Sequence, residues 1–283
     1  MKASNFVSII MPTYNKGFYI ERAIKSVINQ KYEDWELIIV DNYSKDNTES
    51  ICKTYCDHKI KYYLYDNQGI VAKSRNYGIQ HSKGDWIAFL DSDDWWADNK
   101  LKICSEYFEF NDLIYHDLEI APNSGLIKKR LKSKRGISFH NLLQSGNSIP
   151  NSSSIIKKIL IKKTGGINEG REFIGWEDYD LWLRCLLKSP KVMYVPITLG
   201  HYWVGGNISN VTLIKSNLLE IKKRYLSNGM DREPDWWILG MISVTEHVSE
   251  AFSYFLSQLC RLSFLSKIKA ILILLKKIKS KFI

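Results

Sequence analysis

The sequence predicts an α/β fold, with a mostly parallel central sheet, helices on both faces and a helical carboxyl-terminal extension. Three observations predict it. Short apolar, β-branched runs alternate with segments of helical periodicity over about the first hundred residues. That alternation builds parallel strands joined by crossover helices. Acidic residues close two of the apolar runs, and the last thirty residues or so turn to Leu, Ile and Lys.

The elements follow in order. Phe6-Val-Ser-Ile-Ile-Met11 reads as a buried strand, broken by Pro12-Thr-Tyr-Asn-Lys-Gly17. Residues 18–30 carry helical spacing through Ile20, Ile24, Val27 and Ile28. Trp35 to Val40 is a second buried strand ending on Asp41, and Ser44-Lys-Asp-Asn-Thr-Glu opens a helix. Ile60 to Tyr65 is a third strand, and Ala72 to Gln80 is helical. Asp85 to Leu90 is a fourth strand ending on Asp91-Ser-Asp-Asp94. Beyond Ala97 the pattern loosens. Leu113 to Ile120 suits a strand, Leu126 to Arg135 a basic exposed stretch, and Asn147 to Ser154 a polar loop before a short strand and helix. Glu177 to Lys188 is a helix, Lys191 to Val195 a strand, and Pro196 to Ser209 mostly loop.

Composition narrows the function classes. In 283 residues, 45% are hydrophobic, which excludes global disorder. Cys52, Cys56, Cys104, Cys185 and Cys260 are odd in number and match no zinc spacing, so reduced thiols and a cytosolic compartment are expected. Residues 1–6 lack an apolar run, and no secretory signal is expected there. The net charge of +10 is compatible with nucleic acid, anionic lipid or a phosphorylated substrate. Its excess lies in Lys128 to Arg135 and Arg261 to Lys281. These stretches are not interleaved with aromatics along a sheet face, so nucleic acid is not expected as a partner.

In parallel sheets ligands bind beyond the carboxyl ends of the strands, where Asp41 and Asp91 to Asp94 fall. Asp91 and Asp93, two apart in an extended segment, point to one side and can share a hard cation. The competing role is an acidic turn capping the helix near Ala97. Asp41 either accepts from a ribose hydroxyl or base N–H, or caps the turn before Ser44. The segment after the first strand is no glycine-rich turn, which disfavours a nicotinamide enzyme. Glu177, Asp178 and Asp180 suit a helix dipole, or one of them is a general base whose pKa is raised by its neighbours. Arg75 either holds a diphosphate bidentately or decorates a helix.

Taken as an ordered set, these segments resemble the family 2 glycosyltransferases of GT-A, Rossmann-like fold. The resemblance runs over about residues 5–210. It is carried by Val7-Ser-Ile-Ile-Met-Pro-Thr-Tyr-Asn15, Leu37-Ile-Ile-Val-Asp41, Asn67-Gln-Gly69 and Ser74-Arg-Asn-Tyr-Gly-Ile79. It continues through Gly84-Asp-Trp-Ile-Ala-Phe-Leu-Asp-Ser-Asp-Asp94, Gly165-Gly-Ile-Asn-Glu169 and Glu177-Asp-Tyr-Asp-Leu-Trp-Leu-Arg184. It implies a catalytic domain over 1–210, with a nucleotide half (1–96) and an acceptor half (97–210), and an extension over 211–283. Pro12, Tyr14 and Asp41 would line a uridine pocket, with Arg75 near the donor phosphates. Asp91 and Ser92 would lie at the nucleotide, and Asp93, aided by Asp91, would hold Mn²⁺ or Mg²⁺. Asp178 would be the base and Glu177 would lie near the acceptor. The implied reaction is an inverting hexosyl or N-acetylhexosaminyl transfer from a UDP-sugar. The implied acceptor is a glycan or a polyprenyl-diphosphate-linked sugar, in bacterial surface-polysaccharide assembly. A catalytically inactive nucleotide-sugar or glycan-binding protein is the alternative. Many relatives of that family carry a Tyr-Arg and a His in the loop after the last strand, before an Asn-x-Ser. Here His201 is present and Val204 occupies that position, which leaves His201 between ligand contact and loop packing.

Residues 259–283 place Ile268, Ile271, Leu272, Leu275 and Ile278 at helical spacing among lysines. A basic amphipathic helix of this kind lies on an anionic bilayer surface, here the cytoplasmic face of an inner membrane. The alternative is a helix packed on its own domain.

Overall fold

The computed structural model describes residues 5–121, 129–131, 133–205, 211–226, 234–244, 248–259 and 262–279. Lys128, Lys132, residues 207–209, Cys260, Arg261 and Lys281, which figure in the expectations above, lie outside them.

The first half follows the sequence closely. Strands β1 (Val7–Thr13), β2 (Trp35–Asp41), β3 (Ile60–Leu64) and β4 (Trp86–Phe89) run parallel in the order β3-β2-β1-β4. Every residue of β1 and β2 is buried, as parallel strands covered on both faces must be. Alternate residues feed two cores. Val7, Ile9 and Met11 face one side with Leu37 and Ile39, and Ile10 faces the other with Ile38 and Val40. Helix α1 (Ile20–Ile28) covers the first core through Ile20, Ala23, Ile24 and Val27, and α2 (Thr48–Tyr55) adds Cys52. Helix α3 (Val71–His81) covers the second. Its Gly78 lets it approach β1 closely, since a Cβ there would lie 2.8 Å from the stiff Ile10 side chain.

Strand β4 is preceded by Gly84, where a Cβ would meet Phe6 O at 2.6 Å and Ser8 N at 2.8 Å. Both contacts are backbone, so neither can rotate away. Gly84→Ala is expected to cost about 2 kcal/mol, the scale of overpacking. Differential scanning calorimetry should show a melting temperature several degrees lower, and an unchanged value would refute the close approach.

The sheet continues as β4-β8-β6-β9-β5, with β7 paired to β6 off this path. These are β5 (Trp95–Trp96), β6 (Leu113–Ala121), β7 (Lys129–Leu131), β8 (Ile155–Lys157) and β9 (Val192–Trp203). Pairs β4–β8, β6–β8, β6–β7 and β5–β9 are antiparallel, whereas β6–β9 is parallel. Helices α4 (Lys100–Ser105), α5 (Phe139–Ser145), α6 (Lys158–Lys163) and α7 (Glu177–Leu186) complete this half.

One sequence expectation is corrected here. The chain after Val195 is strand as far as Trp203, not loop. Pro196 and Ile197 bulge out between the His116–Val195 and Asp117–Thr198 pairs. Proline lacks the N–H that the ladder would need, so a bulge absorbs it and pairing resumes.

The extension comprises α8 (Val211–Ile221), α9 (Asp235–Val244), α10 (Val248–Gln258) and α11 (Phe264–Lys279). Leu218, Trp237, Ile238, Ile242, Phe255, Ala270 and Leu274 join the same core as α7. Trp237 is buried and donates its Nε1–H to Leu218 O at 2.9 Å. The inward stripe of α11 is Ser266, Ala270 and Leu274, whereas Phe264, Leu265, Ile268, Ile271, Leu272 and Leu275 are exposed. The apolar spacing read from the sequence therefore marks the outward face of this helix. No helix among the described residues is long and apolar enough to cross a membrane.

Candidate active site

The loops at the carboxyl ends of β1, β2, β3 and β4 open on one side of the sheet. Asn15, Tyr43 and Gln68, just beyond the first three strands, all adopt positive φ (51°, 56° and 56°). Such turns re-aim the chain at a rim, and backbone strain of this kind concentrates at functional sites. A cleft of about 1170 Å³ lies there, and its walls include Pro12, Tyr14, Arg75, Asp91, Ser92, Asp93, Glu177 and Asp178. Eight of the nine residues to which the resemblance gives a site role thus meet in one cavity.

At one end, Asp91 to Asp94 form a tight turn, closed by Asp94 N–H donating to Asp91 O at 3.0 Å. The segment is a turn and not the extended strand end expected, yet both Asp91 and Asp93 reach the cleft. It is also no helix cap, because α4 starts only at Lys100 and its N-cap is Asn99. The turn is held from behind. Arg22, stacked 3.5 Å from the Trp95 ring centre, donates to Asp93 O at 2.9 Å. Asp94 is buried and accepts from Trp203 N–H at 2.8 Å, and burial with the nearby Asp91 charge pushes its carboxyl up toward the neutral form. Fully buried Lys100 lies 3.3 Å from the Trp96 ring centre and donates to Ser152 O at 3.0 Å, and Ser152 Oγ accepts from Asp91 N–H at 3.1 Å. Burial drives the Lys100 ammonium well down from its ordinary value.

At the other end the first turn of α7 presents three acids, and their partners sort them. Asp180 is fully buried, bridged to Arg184 at 2.7 Å and accepting from Tyr225 Oη at 2.6 Å. Glu177 is buried against Arg75 at 2.5 Å and accepts from Gly175 N–H at 2.7 Å. Asp178 faces the cleft, with Asn147 donating to it at 3.0 Å and Tyr179 N–H at 2.7 Å. Burial first, then the Glu177 charge, raise its carboxyl to about 7, against the opposing pull of Arg75 and Asn147. A carboxyl at that value takes or gives a proton near neutrality. Arg75 joins the two ends, donating to Asp91 at 2.7 Å as well as to Glu177. Burial opposes its charge, and the two acids outweigh that and raise its affinity for a proton.

Asp41 is the exception. It is fully buried, Oδ1 accepts from Ser44 N–H and Oγ–H at 3.0 and 2.7 Å, and Oδ2 accepts from Tyr62 Oη at 2.6 Å. Both oxygens are engaged within the protein, and Asp41 is not among the cleft residues. Nor is His201, which stacks on Trp95 with ring centres 4.6 Å apart and has Nδ1 3.6 Å from Glu119. Trp176 packs edge-on against Tyr179. Sequence reading missed Lys16, whose ammonium sits 2.7 Å from Asp93, and Asn151, which donates to Asp91 at 3.2 Å. The signal for Lys16 was available, as a cation in the loop that follows β1 on the same rim as the acids.

The donor set at the Asp91–Asp93 turn fits a hard divalent cation. Mg²⁺ and Mn²⁺ accept one or two carboxylates and complete their shells with phosphate oxygens and water. Among the described residues no cluster of three or more acids, histidines or cysteines encloses such an ion, so an ion at Asp91 and Asp93 would need ligands from elsewhere, such as phosphate oxygens or water. Lys16 is partly exposed and can yield Asp93 to the ion.

Known proteins resemble this chain in the same terms. The glycosyl transferase family 2 model matches residues 8–160. The chain is 30% identical over 221 residues to the Escherichia coli UDP-Glc:alpha-D-GlcNAc-diphosphoundecaprenol beta-1,3-glucosyltransferase WfgD, covering 77% of this chain and 83% of that protein. S. aureus TarS solved with UDP superposes with a TM-score of 0.61 at 19% identity, over 96% of this chain and 80% of that one. The mannosyltransferase PcManGT from Pyrobaculum calidifontis, solved with GDP-Man and Mn²⁺, gives 0.61 at 15% identity over 92% and 76%. These two likenesses bear on the fold, and the fold is GT-A. With the family match across more than half its length, this chain belongs to glycosyl transferase family 2.

Proposed function

We propose that this glycosyltransferase moves a hexose or N-acetylhexosamine, with inversion, from a UDP-sugar to a polyprenyl-diphosphate-linked or other glycan acceptor in bacterial surface-polysaccharide assembly. The observation that carries it is a single cleft whose walls bring together Asp91, Asp93 and Asp178. Pro12, Tyr14 and Ser92 hold the nucleotide. Asp178 takes the proton of the acceptor hydroxyl, whose oxygen then bonds to the anomeric carbon. The bond from that carbon to the diphosphate oxygen breaks, and its electron pair leaves with UDP. Attack opposite the leaving group turns an α-linked donor into a β-linked product. Arg75 keeps Glu177 and Asp91 in place across the cleft. A divalent cation held by Asp93 and Asp91 would neutralise charge on the departing diphosphate. WfgD, named for a UDP-Glc donor and a diphosphoundecaprenol acceptor, supports the donor and acceptor classes.

The test is a donor screen by mass spectrometry with short alkyl-diphosphate-sugar acceptors. A β-linked product from one UDP-sugar is expected. UDP-sugar binding without turnover across donors and acceptors would make the chain a binding protein instead. Asp93→Asn should weaken Mn²⁺ binding about tenfold or more in calorimetry with UDP present, and unchanged affinity would remove Asp93 from the ion.

The outward face of α11 supports a membrane-surface reading for residues 259–283. Its exposed Phe264, Leu265, Ile268, Leu272 and Leu275 are flanked by Lys267, Lys269 and Lys276, with Phe252 and Leu256 of α10 also exposed. Apolar residues enter the acyl boundary while lysines meet anionic headgroups. The protein should float with phosphatidylglycerol vesicles and not with neutral ones. Leu265→Glu/Leu272→Glu should abolish flotation, and flotation of that variant at wild-type level would refute the docking face.

A further inference from the structure

Beside the catalytic cleft lies a smaller pocket of about 260 Å³, lined by Lys134, Arg135, Ile137, Asn141, Gln144 and Ser145. Lys134 and Ser145 line both cavities, so the two adjoin. They adjoin on the Asp178 side. Ser145 stands two residues before Asn147, the residue that donates to Asp178 at 3.0 Å. Neither Asp91 nor Asp93 is among the residues that line the smaller pocket.

The charge of this pocket is its second feature. Its lining holds two cations and no acid. Elsewhere in the cleft, cations are matched with carboxylates, Lys16 with Asp93 and Arg75 with Asp91 and Glu177. Neither Lys134 nor Arg135 forms an ion pair among the described residues, and both are exposed. Two cations held side by side with no acid repel each other and leave an anion unprovided for.

The pocket is also preformed. Tyr115 Oη donates to Lys134 O, Ser133 N–H donates to Asp117 at 2.8 Å, and Ser133 Oγ donates to His116 O at 3.0 Å. These bonds pin the segment to β6. Gly136, at φ 67°, turns the chain toward α5, and Asn141 Nδ2 closes that turn on Gly136 O at 3.1 Å. Lys134 and Arg135 therefore belong to a segment with a fixed backbone, and Gln144 joins them in the lining.

We infer that the Lys134–Arg135 pocket binds the diphosphate of the acceptor, one sugar away from the hydroxyl that Asp178 deprotonates. The inference rests on the proposed acceptor class and deepens it: the enzyme selects a sugar diphosphate over a neutral glycan. In a sugar-diphosphate acceptor, one hexose ring separates the attacked hydroxyl from the anomeric phosphate. That matches a pocket beside the acceptor end of the cleft and not the donor end. Arg135 contributes a bidentate fork for phosphate oxygens, and Lys134 a point charge at the junction.

The experiment compares two acceptors with the same sugar, one an alkyl diphosphate and the other a neutral alkyl glycoside. Wild type is compared with Arg135→Ala, Arg135→Lys and Lys134→Ala/Arg135→Ala. Calorimetric titration reads acceptor binding, and steady-state kinetics read KM. Arg135→Ala should weaken the diphosphate acceptor about tenfold, the double variant should weaken it further, and Arg135→Lys should restore part of the loss. Affinity for the neutral glycoside should stay within about twofold, because it makes no charge-assisted bond there. Inorganic pyrophosphate should compete with the diphosphate acceptor in the wild type and lose that power in the double variant. Equal shifts for both acceptors, or none for either, would overturn the assignment. Because titration needs no turnover, a wild type that binds the diphosphate acceptor but transfers nothing would count against the catalytic reading and leave the pocket standing.

Discussion

Replacing Asp178 by Asn is expected to lower kcat for sugar transfer about 10³-fold while UDP affinity stays near wild type. The amide keeps the shape and cannot take a proton. On the proposed assignment Asp178 faces the acceptor and Pro12, Tyr14 and Ser92 face the nucleotide, so UDP binding should not change. The carboxyl's position near 7 sets the pH dependence. A base works only when ionised, so kcat/KM should fall about tenfold per unit below pH 7 and level off above it. Stability runs the other way. An unfolded Asp titrates near about 3.9. Between that value and 7 the folded chain binds more protons than the unfolded one, so stability falls as pH rises through the window. Asp178→Asn removes this penalty. Its melting temperature should exceed the wild type's above pH 7, and the difference should shrink toward pH 4. A variant that is slow but no more stable at pH 8 would mean that Asp178 is not the strained carboxylate. Turnover at wild-type rate would remove it from the chemistry altogether.

The sorting of these acids shows what could be read in advance. Buried parallel strands announce themselves, because β1, β2 and β4 are buried along their whole length and feed both cores. Their ends then mark the crevice, which is why the pattern pointed to Asp91 and Asp93, both of which line the cleft, whereas Pro12 came from the family resemblance. The three acids of α7 were visible as a group but not as individuals. What separates them is Arg75, 102 positions earlier, Asn147 and Tyr225, each brought in by tertiary packing. Asp41 is kept out of the cleft lining for the same reason. Its place at a strand end was right, but Tyr62, on the neighbouring strand β3, takes one oxygen and Ser44 takes the other. The pairing of Lys16 with Asp93 spans 77 positions and leaves no local trace beyond its charge.

Arg75 is where removal of one side chain should cost the fold most. Its guanidinium is buried and donates to Glu177 and to Asp91, with Glu177 buried as well. Charges taken out of water are tolerable only while paired. Arg75→Met fills much of the same space but leaves Glu177 without its cation and Asp91 with Asn151 alone among its side-chain donors. Breaking one side of such a pair typically costs about 3–5 kcal/mol, and that loss should appear as a lower urea midpoint at constant m-value. Arg75→Lys keeps the charge but cannot span both acids with a planar fork, so it should recover only part of the loss. Arg75→Met/Glu177→Gln removes the stranded charge and should be more stable than Arg75→Met alone, which a merely steric role for Arg75 does not allow. The same cation pulls the Asp178 carboxyl down. In Arg75→Met the acid limb of kcat/KM should therefore move to higher pH. If that limb stayed fixed while the urea midpoint fell, Arg75 would be a structural brace only, with no electrostatic hold on the Asp178 carboxyl.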